Sequence, residues 1–278
     1  MERALIRQEI SKACKRLALT QQVVTMCELE ATPRQEEFLY QVLSQELAHR
    51  ERLRRERLLK RAAFPVRKTL DDYEWTALRL PAALPAEDVT SCNFVRMKRN
   101  LILYGPVGTG KTHLAIALGV AACEAGLETR FFTAASLATK LDEARRSGNL
   151  EKLLQSIDRA ELVILDEWGY LPLEKEQAQL LFQLISSCYE RRSLIITTNL
   201  EFSKWGTIFT DDQMAAAMID RLAHHGHLLT FEGQSYRLRN ALMRVKWRGK
   251  TREFIWQLPG ISRGNTKEFA LAKPGIFT

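Results

Sequence analysis

Residues 105–112 read Gly-Pro-Val-Gly-Thr-Gly-Lys-Thr, a G-x-x-x-x-G-K-T run between the apolar stretch "LILY" at 101–104 and an Ala-rich stretch. Glycines in this pattern let the backbone curl until its N–H groups point at phosphate oxygens. The helix that follows adds its positive N-terminal end. Gly105, Gly108 and Gly110 supply the curl, and Pro106, Val107 and Thr109 complete the loop. Lys111 is placed to reach the β- and γ-phosphates of ATP, and Thr112 to offer its hydroxyl to Mg²⁺. His113 comes next, expected on the helix surface beside the nucleotide.

A second apolar run, "LVILDE" at 162–167, ends in two acids. A buried strand that delivers Asp166 at its C-terminal end puts a carboxylate beside the metal, and Glu167 is then placed to deprotonate or orient water. The adjacent pair favours hydrolysis, since no base dedicated to a small alcohol is evident. A third run, "SLIITTN" at 193–199, ends in Asn199. An amide there is either a turn residue or a holder of the same water.

Other conspicuous residues read as structure. His224, His225 and His227 have no Cys or carboxylate at ligand spacing, so packing is favoured over a metal site. Tyr73 and Trp75 are expected to pack a linker onto the following domain, with adenine contact as the alternative. Five cysteines, an odd number without C-x-x-C spacing, read as reduced, buried thiols of a cytoplasmic protein.

These residues need a sheet to hold them. Continuous apolar runs at 100–104, 129–133, 162–167 and 193–198, with a short one near 227–231, alternate with helical stretches. That pattern predicts an α/β fold, a parallel sheet covered by helices on both faces. Upstream, residues 1–30 carry apolar positions at helix spacing. "TPRQ" at 32–35 then starts a helix that runs to "FP" at 64–65. Its first half is amphipathic, and its second half, mostly charged, is expected to lie exposed or against a partner. The predicted layout is a helical domain at 1–63, a linker at 64–99, the nucleotide domain with a short lid at 100–249, and an unassigned tail at 250–278. The N-terminus lacks a secretory h-region, and the apolar run 114–127, broken by Glu124, is too short to span a bilayer.

The net charge of +8 is unevenly spread. Residues 50–68 hold nine Lys/Arg against two acids, and residues 237–252 hold seven basic residues with no acid. These stretches sum to +14, leaving −6 for the remainder. A mildly acidic body framed by basic segments points to a polyanion, nucleic acid above all.

In order, "GPVGTGKT", "LVILDE", "TTN" and "MIDRLAHH" resemble an AAA+ ATPase of the initiator and helicase-loader clade. More narrowly, "QELAHRERLRRERLLKRAAFPVRKTLDDYEW", "LDEWGYLP", "DRLAHHG" and "SYRLRN" resemble the IstB-like helper proteins of insertion sequences, over roughly residues 40–245. Trp168 departs from the polar or neutral residue common in that family. The resemblance implies Asn199 as a γ-phosphate sensor, Arg221 as an arginine finger acting on a neighbouring subunit's nucleotide, and Arg237 as a second sensor from the lid.

The implied activity is ATP hydrolysis by homo-oligomers with ATP sites at subunit interfaces. These would load on target DNA, recruit a transposase encoded beside them, and come apart on hydrolysis. The implied DNA contacts are Arg52, Arg54, Arg55 and Arg57 on the charged helix, and Lys140, Arg145, Arg146 and Lys152 after the second strand. No base-reading motif is present, so binding is expected to tolerate sequence. A replicative helicase loader of the DnaC type is the alternative; further readings are a small-metabolite kinase and a DNA-binding module with ATP as a static ligand.

Overall fold

The computed structural model describes residues 2–236, apart from Asp72, Leu171, Pro172, Thr210 and Gln234. Arg237, the basic helix expected after Ser235 and the 250–278 tail therefore lie outside the described residues.

Three helices open the chain: α1 (Arg3–Arg16), α2 (Gln21–Glu30) and α3 (Pro33–Ala62). A turn at Ala18, with φ 58°, separates the first two. As expected, α3 starts at a capping box: Thr32 N–H donates to Gln35 Oε1 at 2.8 Å, with Pro33 in the first turn. It stops at Ala63, whose φ of 60° turns the chain into Phe64-Pro65. Ile6, Ile10, Cys14, Val24, Cys27 and Leu43 form a small core among these helices.

Against that core lies Glu36, fully buried. Its carboxylate takes Arg3 Nε at 2.8 Å and Arg7 Nη2 at 2.6 Å. The hydrogen bonds from Arg3 and then Arg7 outweigh the cost of burial and hold its pKa down at about 2. A depressed carboxylate stabilises the fold above the ordinary carboxylate range and loses that contribution as pH falls through about 2. Glu36→Gln should therefore lower the melting temperature at pH 7. In circular dichroism melts, its gap to wild type should close as the pH is taken toward 2; a gap independent of pH would overturn the assignment.

The second half of α3 differs from expectation. Leu58 and Ala62 are buried against Cys123 of α6 (Lys111–Glu124). Arg61 pairs with Glu128 at 2.9 Å, and Arg54 donates to Gly126 O at 3.2 Å. This half packs on the nucleotide domain, because its few apolar residues recur at helix spacing on one face between the charges. In the first half, Phe38 and Val42 are exposed, so the apolar face there is narrower than the sequence implied.

The sheet has the order β1-β6-β2-β5-β4-β3. Its strands are β1 (Leu78–Arg79), β2 (Asn100–Tyr104), β3 (Thr129–Thr133), β4 (Leu162–Trp168), β5 (Ser193–Thr198) and β6 (Gly226–Phe231). Strands β2 to β6 are parallel, as predicted, and β1 runs antiparallel to β6. The supposed linker thus contributes an edge strand, along with two short helices, α4 (Ala86–Thr90) and α5 (Asn93–Arg96).

One face of the sheet packs on α6, α4 and α5. The other packs on α7 (Ala134–Arg146), α8 (Leu150–Asp158), α9 (Lys175–Cys188), α10 (Gly206–Phe209) and α11 (Asp212–His224). Burial on both faces explains why the strands read as unbroken apolar runs. Trp168 is fully buried, with ring centroids 5.4 Å from Trp205 and 5.7 Å from Phe209. All five cysteines are buried and unpaired; burial pushes the Cys92 and Cys188 thiols up to about 11. Among the described residues, no helix is long and apolar enough to cross a membrane.

Candidate nucleotide-binding site

In a parallel sheet, ligands sit beyond the carboxyl ends of the strands. Here β5 lies between β2 and β4, so the loop after β2 and the acids of β4 face each other across the end of β5. Gly110 adopts φ 98° as the loop enters α6. Gly105 is fixed by close approach: a Cβ there would lie 2.5 Å from the Phe231 carbonyl oxygen, so no other residue fits. Thr109 Oγ1 donates to Pro106 O at 2.8 Å and staples the loop. Lys111 Nζ donates to Gly105 O at 2.7 Å and to Pro106 O at 2.6 Å.

The two residues expected to hold a metal also meet. Thr112 Oγ1 donates to Asp166 Oδ1 at 2.9 Å, and Asp166 is buried. A hydroxyl and a carboxylate are hard oxygen donors, the set that suits Mg²⁺. Thr197 Oγ1 donates to the same Asp166 oxygen and accepts Glu167 N–H at 3.1 Å. Glu167 itself takes φ 59° at a register irregularity between Leu165 and Trp168. Strand alternation puts Asp166 on the α6 face with Leu162 and Ile164, where it reaches Thr112. The bulge leaves Glu167 exposed at the cavity and turns Trp168 into the opposite core with Val163 and Leu165.

The cavity over these groups has a volume of ≈ 850 Å³, room for a nucleotide. Gly108 to His113, Glu167, Thr197 and Thr198 form one side of it. Val66, Lys68, Tyr73 and Thr76 from the supposed linker form another, and Glu232, Gly233 and Tyr236 a third. Tyr73 is buried, edge-on to His113 at 5.4 Å between ring centroids, and burial drives its phenol well above the ordinary value. Tyr236 N–H donates to Gly108 O at 2.9 Å, so the chain after β6 returns over the phosphate loop.

One comparison decides the family. A family described as "IstB-like ATP binding protein" matches residues 13–243.

The chain belongs to the IstB-like ATP-binding family.

Among its relatives, the putative ATP-binding protein of insertion sequence IS21 from Pseudomonas aeruginosa is 41% identical over 203 residues, 73% of this chain and 77% of that one. The corresponding protein of IS5376 from Geobacillus stearothermophilus is 38% identical over 203 residues, 73% of this chain and 81% of its own length. Among solved structures, the DnaC helicase loader aligns with a TM-score of 0.47 and 24% identity, covering 59% of this chain and 96% of that one. A replication initiator DnaA bound to AMPPCP and single-stranded DNA aligns at 0.46 and 19%, covering 62% and 52%.

In this IstB-like chain the other residues singled out from sequence fall in different places. Asn199 is exposed just past β5, outside the cavity lining. Arg221 lies on α11, also outside it, with Nη1 on Ala217 O at 3.0 Å and the guanidinium 5.2 Å from the Phe182 ring. Arg145 is tied to Asp142 and Glu176, and Arg146 to Asp142, so part of the charge on α7 is neutralised within the chain. Lys140 lies over the Phe132 ring, and Lys152 is exposed. On α3, Arg52, Arg55 and Arg57 are exposed; Arg54 is exposed too but engages Gly126. Sequence reasoning passed over Thr197, whose only signal was a second polar residue at the end of an apolar strand.

Proposed function

We propose that this chain is an ATPase whose ATP-bound copies assemble on DNA, engage a transposase and separate on hydrolysis. The observation that carries the chemistry is Thr197 holding Asp166 and Glu167 in one frame opposite Thr112. Bound Mg²⁺ would neutralise charge on the β- and γ-phosphates. In this reading Thr112 and Asp166 hold that ion, and the loop N–H groups and Lys111 hold the phosphates. Glu167 takes the proton from the attacking water. Its exposed position and its main-chain tether to Thr197 support that role.

Assembly enters through Arg221. Because it stands outside its own chain's cavity, a role at the γ-phosphate falls to a neighbouring copy's site, which makes turnover a report on stacking. Asn199, exposed past the tip of β5 and outside the cavity lining, and Arg237, next after Tyr236 in the sequence, are assigned to the γ-phosphate from the family resemblance. DNA is assigned to the exposed arginines of α3, with Lys140 and Lys152. The names of the relatives tie them to insertion sequences, and that supports a transposase as partner. The domain layout is 1–63, 64–99 and 100–249, with 64–99 counted as part of the nucleotide domain's wall.

Arg221→Ala is expected to cut ATP turnover about a thousandfold while leaving nucleotide affinity unchanged. Phosphate release and fluorescent-nucleotide titration, run side by side, test this; equal loss of both would refute action in trans. Electron microscopy of the protein on duplex DNA with a non-hydrolysable ATP analogue tests the whole proposal, which fails if only monomers are seen. Thr197→Val removes the hydroxyl and leaves the part-buried Glu167 N–H without its acceptor, costing on the order of 1 kcal/mol of stability. Thermal unfolding and turnover should fall together; a variant with wild-type turnover would show that Thr197 does not position the acids.

A further inference from the structure

At the opposite end of the sheet from the glycine-rich loop, the amino ends of the parallel strands gather a second group of donors. Glu190 lies in the turn between α9 and β5, while His224 and His225 close α11 and lead into β6. One donor atom from each of these three side chains lies within 4.8 Å of the others. We propose that Glu190, His224 and His225 form a binding site for a borderline divalent transition metal of the Zn²⁺ class. Two imidazoles with one carboxylate favour such an ion over Mg²⁺ or Ca²⁺, which prefer oxygen. The carboxylate that sequence spacing could not supply comes from a residue 34 positions before His224, brought in by the fold.

The surroundings fit this use. Glu190 adopts φ 55°, a conformation uncommon for glutamate, and its Oε1 is 2.9 Å from His225 Nε2. The Tyr189 ring stacks along His224 and leans on His225, with its hydroxyl 2.7 Å from His224 Nδ1. The two imidazole centroids are 4.3 Å apart. Tetrahedral ligation at about 2.1 Å puts donor atoms about 3.4 Å apart, so modest rotation of the exposed Glu190 and His224 closes the set. A three-residue shell leaves one position for water.

One neighbour works against the ion. Arg99 Nη1 is 3.2 Å from His225 Nδ1. While Arg99 donates there, the imidazole proton sits on Nε2 and goes to Glu190. When the metal binds Nε2, that proton shifts to Nδ1 and Arg99 swings aside, with no net release. Removing the Arg99 charge should therefore tighten metal binding, a result that simple packing of the histidines would not produce.

The test uses full-length, untagged, nucleotide-free protein, titrated with Co²⁺ by visible absorption and with Zn²⁺ by calorimetry. One saturable equivalent is expected at micromolar metal, unaffected by millimolar Mg²⁺ and retained by Asp166→Asn, which separates it from the Thr112–Asp166 pair at the nucleotide site. Glu190→Gln and His224→Ala should each weaken binding about tenfold or more, while Arg99→Gln should strengthen it. Glu190→Gln, an isosteric change at an exposed position, decides the matter if His224→Ala does not fold. No saturable binding, or binding indifferent to Glu190→Gln, overturns the site.

Discussion

Lys111→Ala is expected to abolish ATP-dependent assembly on DNA while leaving a folded protein. The amine stands at the mouth of α6, and in this structure it donates to the Gly105 and Pro106 carbonyls. Triphosphate binding would exchange these neutral acceptors for charged ones, and a charge-assisted contact of this kind contributes up to about 3 kcal/mol, roughly a hundredfold in affinity. The nucleotide-free fold should lose far less, because backbone–backbone bonds and the Thr109 staple also hold the loop. Thermal unfolding with and without ATP separates the two effects. Ligand that binds only the folded state raises the wild-type melting temperature by mass action, and the variant should show little rise. Analytical ultracentrifugation with ATP, Mg²⁺ and duplex DNA should then find wild type assembled and the variant monomeric. Normal assembly of the variant would remove the phosphate loop from the proposal.

What was legible in the sequence follows from which forces act locally. The five parallel strands and the helices between them were readable because burial on both faces leaves unbroken apolar runs, and turns between them are polar. The phosphate loop was readable because its backbone conformation admits few residues: Gly105 abuts the Phe231 carbonyl, and Gly110 needs φ 98°. The edge strand β1 was not readable. It is two residues long and owes its existence to pairing with Phe231 and Thr230, more than 150 positions away.

The same limit hid the docking of α3 on the nucleotide domain. Leu58 and Ala62 are two apolar residues in a run of charge, and only the facing Cys123 and Glu128 give them meaning. Thr197 was hidden because an apolar strand ending in threonines looks the same whether or not a carboxylate stands across from it. Glu190 escaped notice for a related reason, since ligand spacing is searched along the chain and this donor arrives through space. Arg145 shows the converse: a basic residue that reads as a polyanion contact is held by Asp142 and Glu176. Charge counted along the sequence overstates the positive potential of α7, and also that of α3, where Arg50 pairs with Glu46 and Arg55 with Glu51.

Glu167→Gln should stop the cycle at its ATP-bound stage. Glutamine has the same shape and tolerates the same exposed setting, so the bulge at Leu165–Trp168 and the main-chain bond to Thr197 should persist. What disappears is the basic oxygen. A positioned general base contributes roughly 10²- to 10⁴-fold to rate, and turnover should fall by a factor in that range. Affinity for ATP should hold, because the loop N–H groups, Lys111, Thr112 and Asp166 are untouched. If cleavage is what lets neighbouring copies part, the variant's complexes on DNA will outlast those of wild type by a similar factor when excess competitor DNA is added. Phosphate release and the decay of fluorescence anisotropy on labelled duplex measure the two sides. Slow turnover with ordinary dissociation would detach release from hydrolysis. Wild-type turnover would mean that Glu167 is not the base, and the static-ligand reading would regain its place.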